Sequence, residues 1–257
     1  METAKKFGAA RSGQLLIVAA LAIAILIAST SIYVYELTTQ KQSAENDSIV
    51  ELVLAIKTGL RNAAVSALAN ITQGGQKTVL AENLDTLADV YTRLYPQQIC
   101  QIRYKLPNSA GYEDGVKLSW NSNNGLGVSS VYVPYMLKVL APTFNATLND
   151  AVNITTTLKV QGFCTVGENE TLKTVNLTCM VFNEEKQAQA KWIAIYYEDD
   201  SGAWIPVNNP SITDWGNSTY SPHFTVALAS DFVHVSVHVV DARNILVVAN
   251  TTCSQAV

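Results

Sequence analysis

Residues 15–35 read LLIVAALAIAILIASTSIYVY, and this stretch divides the chain into an anchor and everything the anchor carries. Twenty-one helical residues rise about 31 Å at roughly 1.5 Å each, close to the hydrocarbon thickness of a bilayer. Ser29, Thr30 and Ser31 alone interrupt the apolar run. A secretory signal would carry a shorter apolar region ending in a small-residue cleavage site, whereas this run continues into Ile32-Tyr33-Val34-Tyr35-Glu36. The stretch therefore reads as a retained transmembrane helix. Lys5, Lys6 and Arg11 precede it and Glu36 closes it, which sets the N-terminus in the cytoplasm and the C-terminal bulk outside the cell membrane. Tyr33 and Tyr35 fall where an outer aromatic belt would lie.

The outer part is expected to be secreted in character. Eight N-x-S/T sequons, at Asn46, Asn70, Asn145, Asn153, Asn169, Asn176, Asn217 and Asn250, all lie after the span. Nineteen asparagines at this Ser and Thr content would give roughly three by chance, so the set reads as glycosylation acceptors on a surface protein. Incidental sequons on a Thr-rich and Asn-rich β surface are the alternative. The four cysteines, Cys100, Cys164, Cys179 and Cys253, also follow the span, with no C-x-x-C and no zinc spacing. Side chains alternate along a strand, so outward Asn153, Asn176 and Asn250 would turn Cys164, Cys179 and Cys253 inward. That suits disulfides or buried thiols. Of three connectivities, Cys100 with Cys164 and Cys179 with Cys253 is favoured, because each would close one β segment.

The expected organisation is α+β. Residues 1–14 form a basic cytoplasmic N-terminus, 15–36 the span, 37–98 a helical neck, 99–164 a first β segment and 165–257 a β-sandwich head. Polar residues 38–47 separate the span from Ser48-Ile49-Val50-Glu51, which has the form of a capping box and predicts a new helix start. Val53, Ile56, Leu60, Ala64, Ala67, Leu68 and Ile71 then follow helical spacing up to Gly74-Gly75. A second stripe, Leu80, Leu84, Leu87, Tyr91 and Leu94, runs to Pro96. From Ile99 the period becomes two, and strands are expected at 117–120, 128–140, 152–164, 172–182, 191–198, 223–228, 232–241 and 245–251, separated by turn signals such as Asn124-Gly125 and Asp200-Ser201-Gly202.

Two resemblances add to this reading. Val175-Asn-Leu-Thr-Cys-Met-Val-Phe182, followed by Trp192-Ile-Ala-Ile-Tyr-Tyr-Glu198 and a turn into Ala203-Trp-Ile-Pro-Val207, resembles the B, C and C′ strands of Ig-like domains common on archaeal cell surfaces. The F-like strand 232–241 has no cysteine, so the disulfide usual between the B and F strands of antibody-type domains is absent. Arg11-Ser12-Gly13-Gln14 before an unbroken apolar helix looks like archaeal type IV pilin-like proteins, in which prepilin cleavage frees a membrane helix to enter a filament core. Cutting after Gly8, Ala10 or Gly13 would put Gly13, Leu15 or Val18 at the fifth position, where pilins usually carry an acid.

Chemistry is sparse. With net charge −4 and pI near 5.4, the chain offers no footprint for nucleic acid. His234 and His238 lie four strand residues apart, about 13 Å, too far to share a metal ion. Glu198-Asp199-Asp200 lacks the alternating ligands of an EF-hand and fits a hairpin turn. No hydrolase, P-loop or Rossmann signature is present, so no catalytic residue, cofactor or metal ligand is assigned and the chain is read as a non-enzyme. Of the tryptophans able to stack on a sugar, Trp192 and Trp204 are expected in the core and Trp215 in a loop. The expected function is a structural, pilin-like surface subunit; the alternative is a bitopic adhesion or ligand-binding module. Partners would be membrane lipid, further copies through the N-terminal helix, and a surface protein or glycan.

Overall fold

The structure, a computed structural model, describes residues 4–95, 99–141, 144–167 and 171–255, with the side chains of 4–25, 37–48, 99, 141 and 144 left out. The chain divides into two compact units, 1–56 and 57–257.

Helix α1 runs without a break from Ala4 to Thr72. The separate start expected at Ser48 does not occur, because the polar stretch 38–47 contains neither Pro nor Gly. Ser, Asn and Asp inside a helix cost at most about 0.7 kcal/mol each relative to Ala, too little to stop it. The real stop is a Schellman turn. Gly74 takes φ +100°, its N–H reaches Ile71 O at 3.1 Å, and Gly75 N–H reaches Asn70 O at 3.0 Å. Helix α2 follows at Val79–Leu94.

In the first unit, Leu26, Ile27, Ile32, Tyr33, Val34 and Tyr35 are all exposed, so this part of α1 has no covered stripe. In the second unit, Leu60, Ala64, Ala67, Leu68 and Ile71 are fully or almost fully buried, as their helical spacing predicts. Among the residues searched, Ile49–Thr72 is the one stretch long and apolar enough to cross a membrane, yet a third of it is buried within the protein. The glycosylation and anchor expectations at residues 1–25, Asn46 and Asn169 lie outside the described side chains.

Among the described residues twelve strands follow: β1 Ile99–Tyr104, β2 Val116–Ser119, β3 Leu126–Ala141, β4 Phe144–Val166, β5 Leu172–Asn183, β6 Lys186–Gln187, β7 Ala190–Glu198, β8 Trp204–Pro206, β9 Ser211–Asp214, β10 Thr219–Ala227, β11 Val233–Asp241 and β12 Leu246–Gln255. One arm has the order β8-β7-β11-β12, the other β4-β5-β10-β9, with every neighbour antiparallel. They join where β12 pairs in parallel with β4 through Ser254↔Phe163 and Gln255↔Cys164. Strand β3 extends the second arm by pairing along β4 from Leu126↔Lys159 to Ala141↔Phe144, and β1 and β2 both pair with β3. Strand β4 is thus shared by the two β segments expected on either side of residue 164, which form one continuous sheet.

Both arms feed one core. Leu158, Val160, Val175, Leu177 and Val181 from one meet Val233, Val235, Val237, Val239, Val247 and Ala249 from the other. This is the inward set that strand alternation predicts. A second layer lies over β1 and β3. Tyr104 of β1 donates its hydroxyl to Asp85 at 2.6 Å on α2, and Val131, Val133, Tyr135, Leu137 and Val139 form the buried face of β3.

Of the expected cystine pairs, Cys100 with Cys164 is excluded by the strand register, whereas Cys179 and Cys253 do lie together in the core. All four cysteines are free, buried thiols. Cys100 pairs with Val139, which pairs with Ala146, and Cys164 lies 18 residues farther along β4 (164 − 146). At about 3.3 Å per residue that is on the order of 60 Å of strand, far beyond disulfide reach. Cys164, Cys179 and Cys253 instead gather in the core, with Cys164 Sγ 3.9 Å from Cys253 O. Burial, then the neighbouring Cys253, pushes the Cys179 thiol up to about 12; burial, then Cys164, does the same for Cys253. Burial thus favours the protonated thiol at both positions at neutral pH.

Candidate functional site

The outward side chains of the β8-β7-β11-β12 arm form its most distinctive surface. Pairing sets Trp192, Val240 and Leu246 in one row, Ala194, His238 and Val248 in the next, and Tyr196, Ser236 and Asn250 in a third. Trp204 stands on β8 beside Tyr196 and Glu198. Trp192 is 52% exposed and Trp204 45%, so neither is the core residue expected from the sequence. The core is filled by Val233, Val235, Val237 and Val239, and strand alternation sends the larger aromatic residues to the other face.

Trp120 closes one side of this face. Its Nε1 donates to Ser129 Oγ at 3.0 Å, and Ser129 Oγ in turn donates to Leu246 O at 2.7 Å. The approach depends on Gly127, where a Cβ would sit 2.0 Å from Val248 O. Gly125, at φ +73°, donates its N–H to Asn250 O at 2.8 Å. Asn124-Gly125, read from sequence as a turn, thus also locks β3 against β12.

The result is a groove of about 520 Å³ between Trp120, Trp204, Tyr196, His238 and Asn250. A second hollow of about 570 Å³ reaches Trp192 and Lys191 and shares His238 and Leu246 with the first. Such volumes, with aromatic walls and few polar groups, are those of small-ligand sites. Tyr196 and His238 rings lie 4.7 Å apart at 45°, and a His238 ring nitrogen is 3.2 Å from Ser236 Oγ. Burial lowers the His238 pKa, which keeps the ring neutral at physiological pH. Asn250 donates its Nδ2 to Trp120 O at 3.0 Å, while its buried Oδ1 has no hydrogen-bond partner among the described residues. A buried amide oxygen left bare costs about 1–3 kcal/mol.

The other expected features fall elsewhere. Asn70, Asn145, Asn153 and Asn217 are exposed, whereas Asn176 and Asn250 are partly buried. His223 is exposed on β10, and His234 bonds Thr252 Oγ1 at 2.9 Å. In the acidic run, Asp199 Oδ1 accepts bonds from Ser201 and Ala203 N–H, and Asp200 accepts from Ala229 N–H. Those bonds make it a hairpin turn. No cluster of metal-ligating side chains occurs among the described residues. Trp215 is exposed in its loop, with Nε1 bonded to Ser221 Oγ.

Distinct from the groove, a polar knot fastens the arms. Arg243 bonds Asp241 at 2.9 Å and Glu184 at 2.7 Å, and Glu184 also meets Arg61 of α1 at 3.3 Å. Burial alone would raise the Glu184 carboxyl, but hydrogen bonds from Arg243 and the Thr155 N–H, with the charges of Arg243 and Arg61, hold it below the ordinary glutamate range. This knot ties elements together, and its Arg61 edge borders a hollow of about 360 Å³ beside Lys57 and Asp150. Compared with known proteins, the chain matches no family model, no curated protein and no solved structure.

Proposed function

We propose that this is a single-span cell-surface protein in which α1 anchors an Ig-like β head outside the membrane, and that its role is structural, as a pilin-like subunit. The unbroken course of α1 from Ala4 to Thr72 carries the reading. One helix supplies an apolar segment exposed at Leu26–Tyr35 and, farther along, the stripe Leu60–Ile71 that is buried within the second unit. An exposed apolar helix must find lipid or neighbouring helices. The strand order supports the Ig-like part: β8-β7-β11-β12 corresponds to C′-C-F-G, and β4-β5-β10-β9 to A-B-E-D.

The test is to isolate the native protein from membranes and surface appendages, sequence its N-terminus, and image it by negative stain. Filaments built of chains beginning at Ala9, Arg11 or Gln14 are expected. Dispersed particles with Met1 intact would sink the structural role. Mass spectrometry on the same sample reads out the sequons and any cystine within the Cys164, Cys179 and Cys253 group.

A second reading, a bitopic binding module, is favoured by the aromatic groove, which a purely structural head does not need.

A further inference from the structure

We propose that the groove on the outer face of the β8-β7-β11-β12 arm binds a neutral saccharide. The proposal deepens the second reading by naming its ligand class, and it holds whether α1 ends in lipid or in a filament.

A sugar ring has an apolar C–H face and a rim of hydroxyls, and it needs a flat aromatic surface beside unspent hydrogen-bond acceptors. Trp204 offers such a surface, 45% exposed, with Tyr196 on the paired strand and Trp120 opposite. Asn250 lines the same groove, with its Oδ1 buried and without a donor among the described residues. A turn of the amide would bring that oxygen to a ligand hydroxyl, whereas an apolar protein side chain docked there would give it no donor.

Charge narrows the class. No carboxylate, lysine or arginine lines the Trp120–Trp204 groove, and Lys191 in the adjoining hollow is engaged with Asn244 Oδ1 at 2.7 Å. The Trp120–Trp204 groove itself thus offers no cation to a uronic acid, a sialic acid or a phosphate. The two hollows share His238 and Leu246, so the site is elongated and ends in Trp192, which suits a short run of rings better than one monosaccharide. Asn250 is itself a sequon residue, but its Nδ2 is bonded to Trp120 O, as expected of a recognition residue rather than of a glycan attachment point.

The experiment uses the full-length chain in a detergent without a sugar headgroup. It is run through native gels cast with mannan, dextran or galactan, and tryptophan fluorescence is titrated with the same polymers. Retardation by at least one polymer is expected, weakened tenfold or more by Trp204→Ala and by Asn250→Leu. Trp215→Ala, and Thr252→Val, which removes the sequon but keeps Asn250, should bind as the parent does. Circular dichroism confirms folding, and Trp192→Ala, expected to weaken binding to the longer polymers, is a second probe if Trp204→Ala fails to fold. Self-association lost on deglycosylation and competed by the polymer would place the ligand on a neighbouring copy's glycan; polymer binding without self-association would place it outside. Either supports the site. No retardation by any polymer, unchanged binding in Trp204→Ala, an oligomer that this variant dissociates without any saccharide effect, or a glycan found on Asn250 itself would overturn it.

Discussion

The two ends of α1 are built from similar residues and meet opposite fates. At Leu26–Tyr35 the apolar side chains are exposed on every side, whereas at Leu60–Ile71 a single stripe is buried and Arg61 pairs with Glu184. The second end even includes the stretch apolar enough to pass for a membrane span. Hydropathy alone therefore does not tell what covers a helix. Periodicity does: an apolar surface all round calls for lipid or neighbours, and a stripe at three- and four-residue spacing calls for the chain's own core.

The strongest way to break the comparison is to charge the exposed end. On the proposed reading, the Leu26→Arg, Ile27→Arg double variant places two cations near the middle of the span, each costing about 2.5–3.5 kcal/mol to insert. Its expected effect is a shift from the membrane fraction to the soluble or aggregated one, while the thermal unfolding of the β domain stays unchanged. Recovery wholly in the membrane would refute the span.

Cutting back the covered end should do the reverse. Leu68 is fully buried, and Leu68→Ala should cost about 2–5 kcal/mol in urea unfolding, with membrane recovery unaffected. A loss below 1 kcal/mol would mean that the stripe packs loosely. Glu184→Gln tests the ionic tie between α1 and the polar knot, with an expected cost of about 1 kcal/mol once solvent screening of this partly exposed carboxylate is counted. The sign with pH follows from its depressed folded pKa. The stabilisation is present above the unfolded value of about 4.3 and is lost as pH falls through the folded one. The variant should therefore show a flatter stability profile below pH 5 than the parent.

The smallest effect belongs to Gly59, where a Cβ would lie 3.1 Å from Leu87 Cδ1 and 3.2 Å from Tyr91 Oη. Both are ends of side chains that can shift, so Gly59→Ala should recover most of the helix propensity gap and stabilise by up to about 1 kcal/mol. A loss of more than that would show that α1 and α2 have no room to adjust.

Strand positions and the inward set around Cys164, Cys179 and Cys253 were legible because alternation is a local signal. Strands β6, β8 and β9, of two, three and four residues, give too few alternations to read, and six-residue β1 carries polar Gln101 and Arg103 between apolar neighbours without a turn signal to set it off. The capping box at Ser48 misled because a cap works only where something else ends the preceding helix, and nothing does. Matching Cys100 with Cys164 by sequence segment is blind to the 18 residues of β4 (164 − 146) that hold them apart. The groove was invisible for a different reason. Trp192 alternates with Ile193 and Ile195, which gives its face but not a groove, and Trp120 reaches Trp204 only through the crossing of β3 over β12 at Gly127.

The end of α1 is tied to the β11–β12 turn by two bonds, Leu246 N–H to Thr72 Oγ1 at 3.1 Å and Gln73 Nε2 to Asn244 O at 2.7 Å. That turn leads directly into the strands that carry Leu246, Val248 and His238. On the proposed reading, with α1 as a tether, this turn is one load path from the groove to the helix, and the Arg61–Glu184 pair, which leads to the β5–β6 turn of the other arm, is a second.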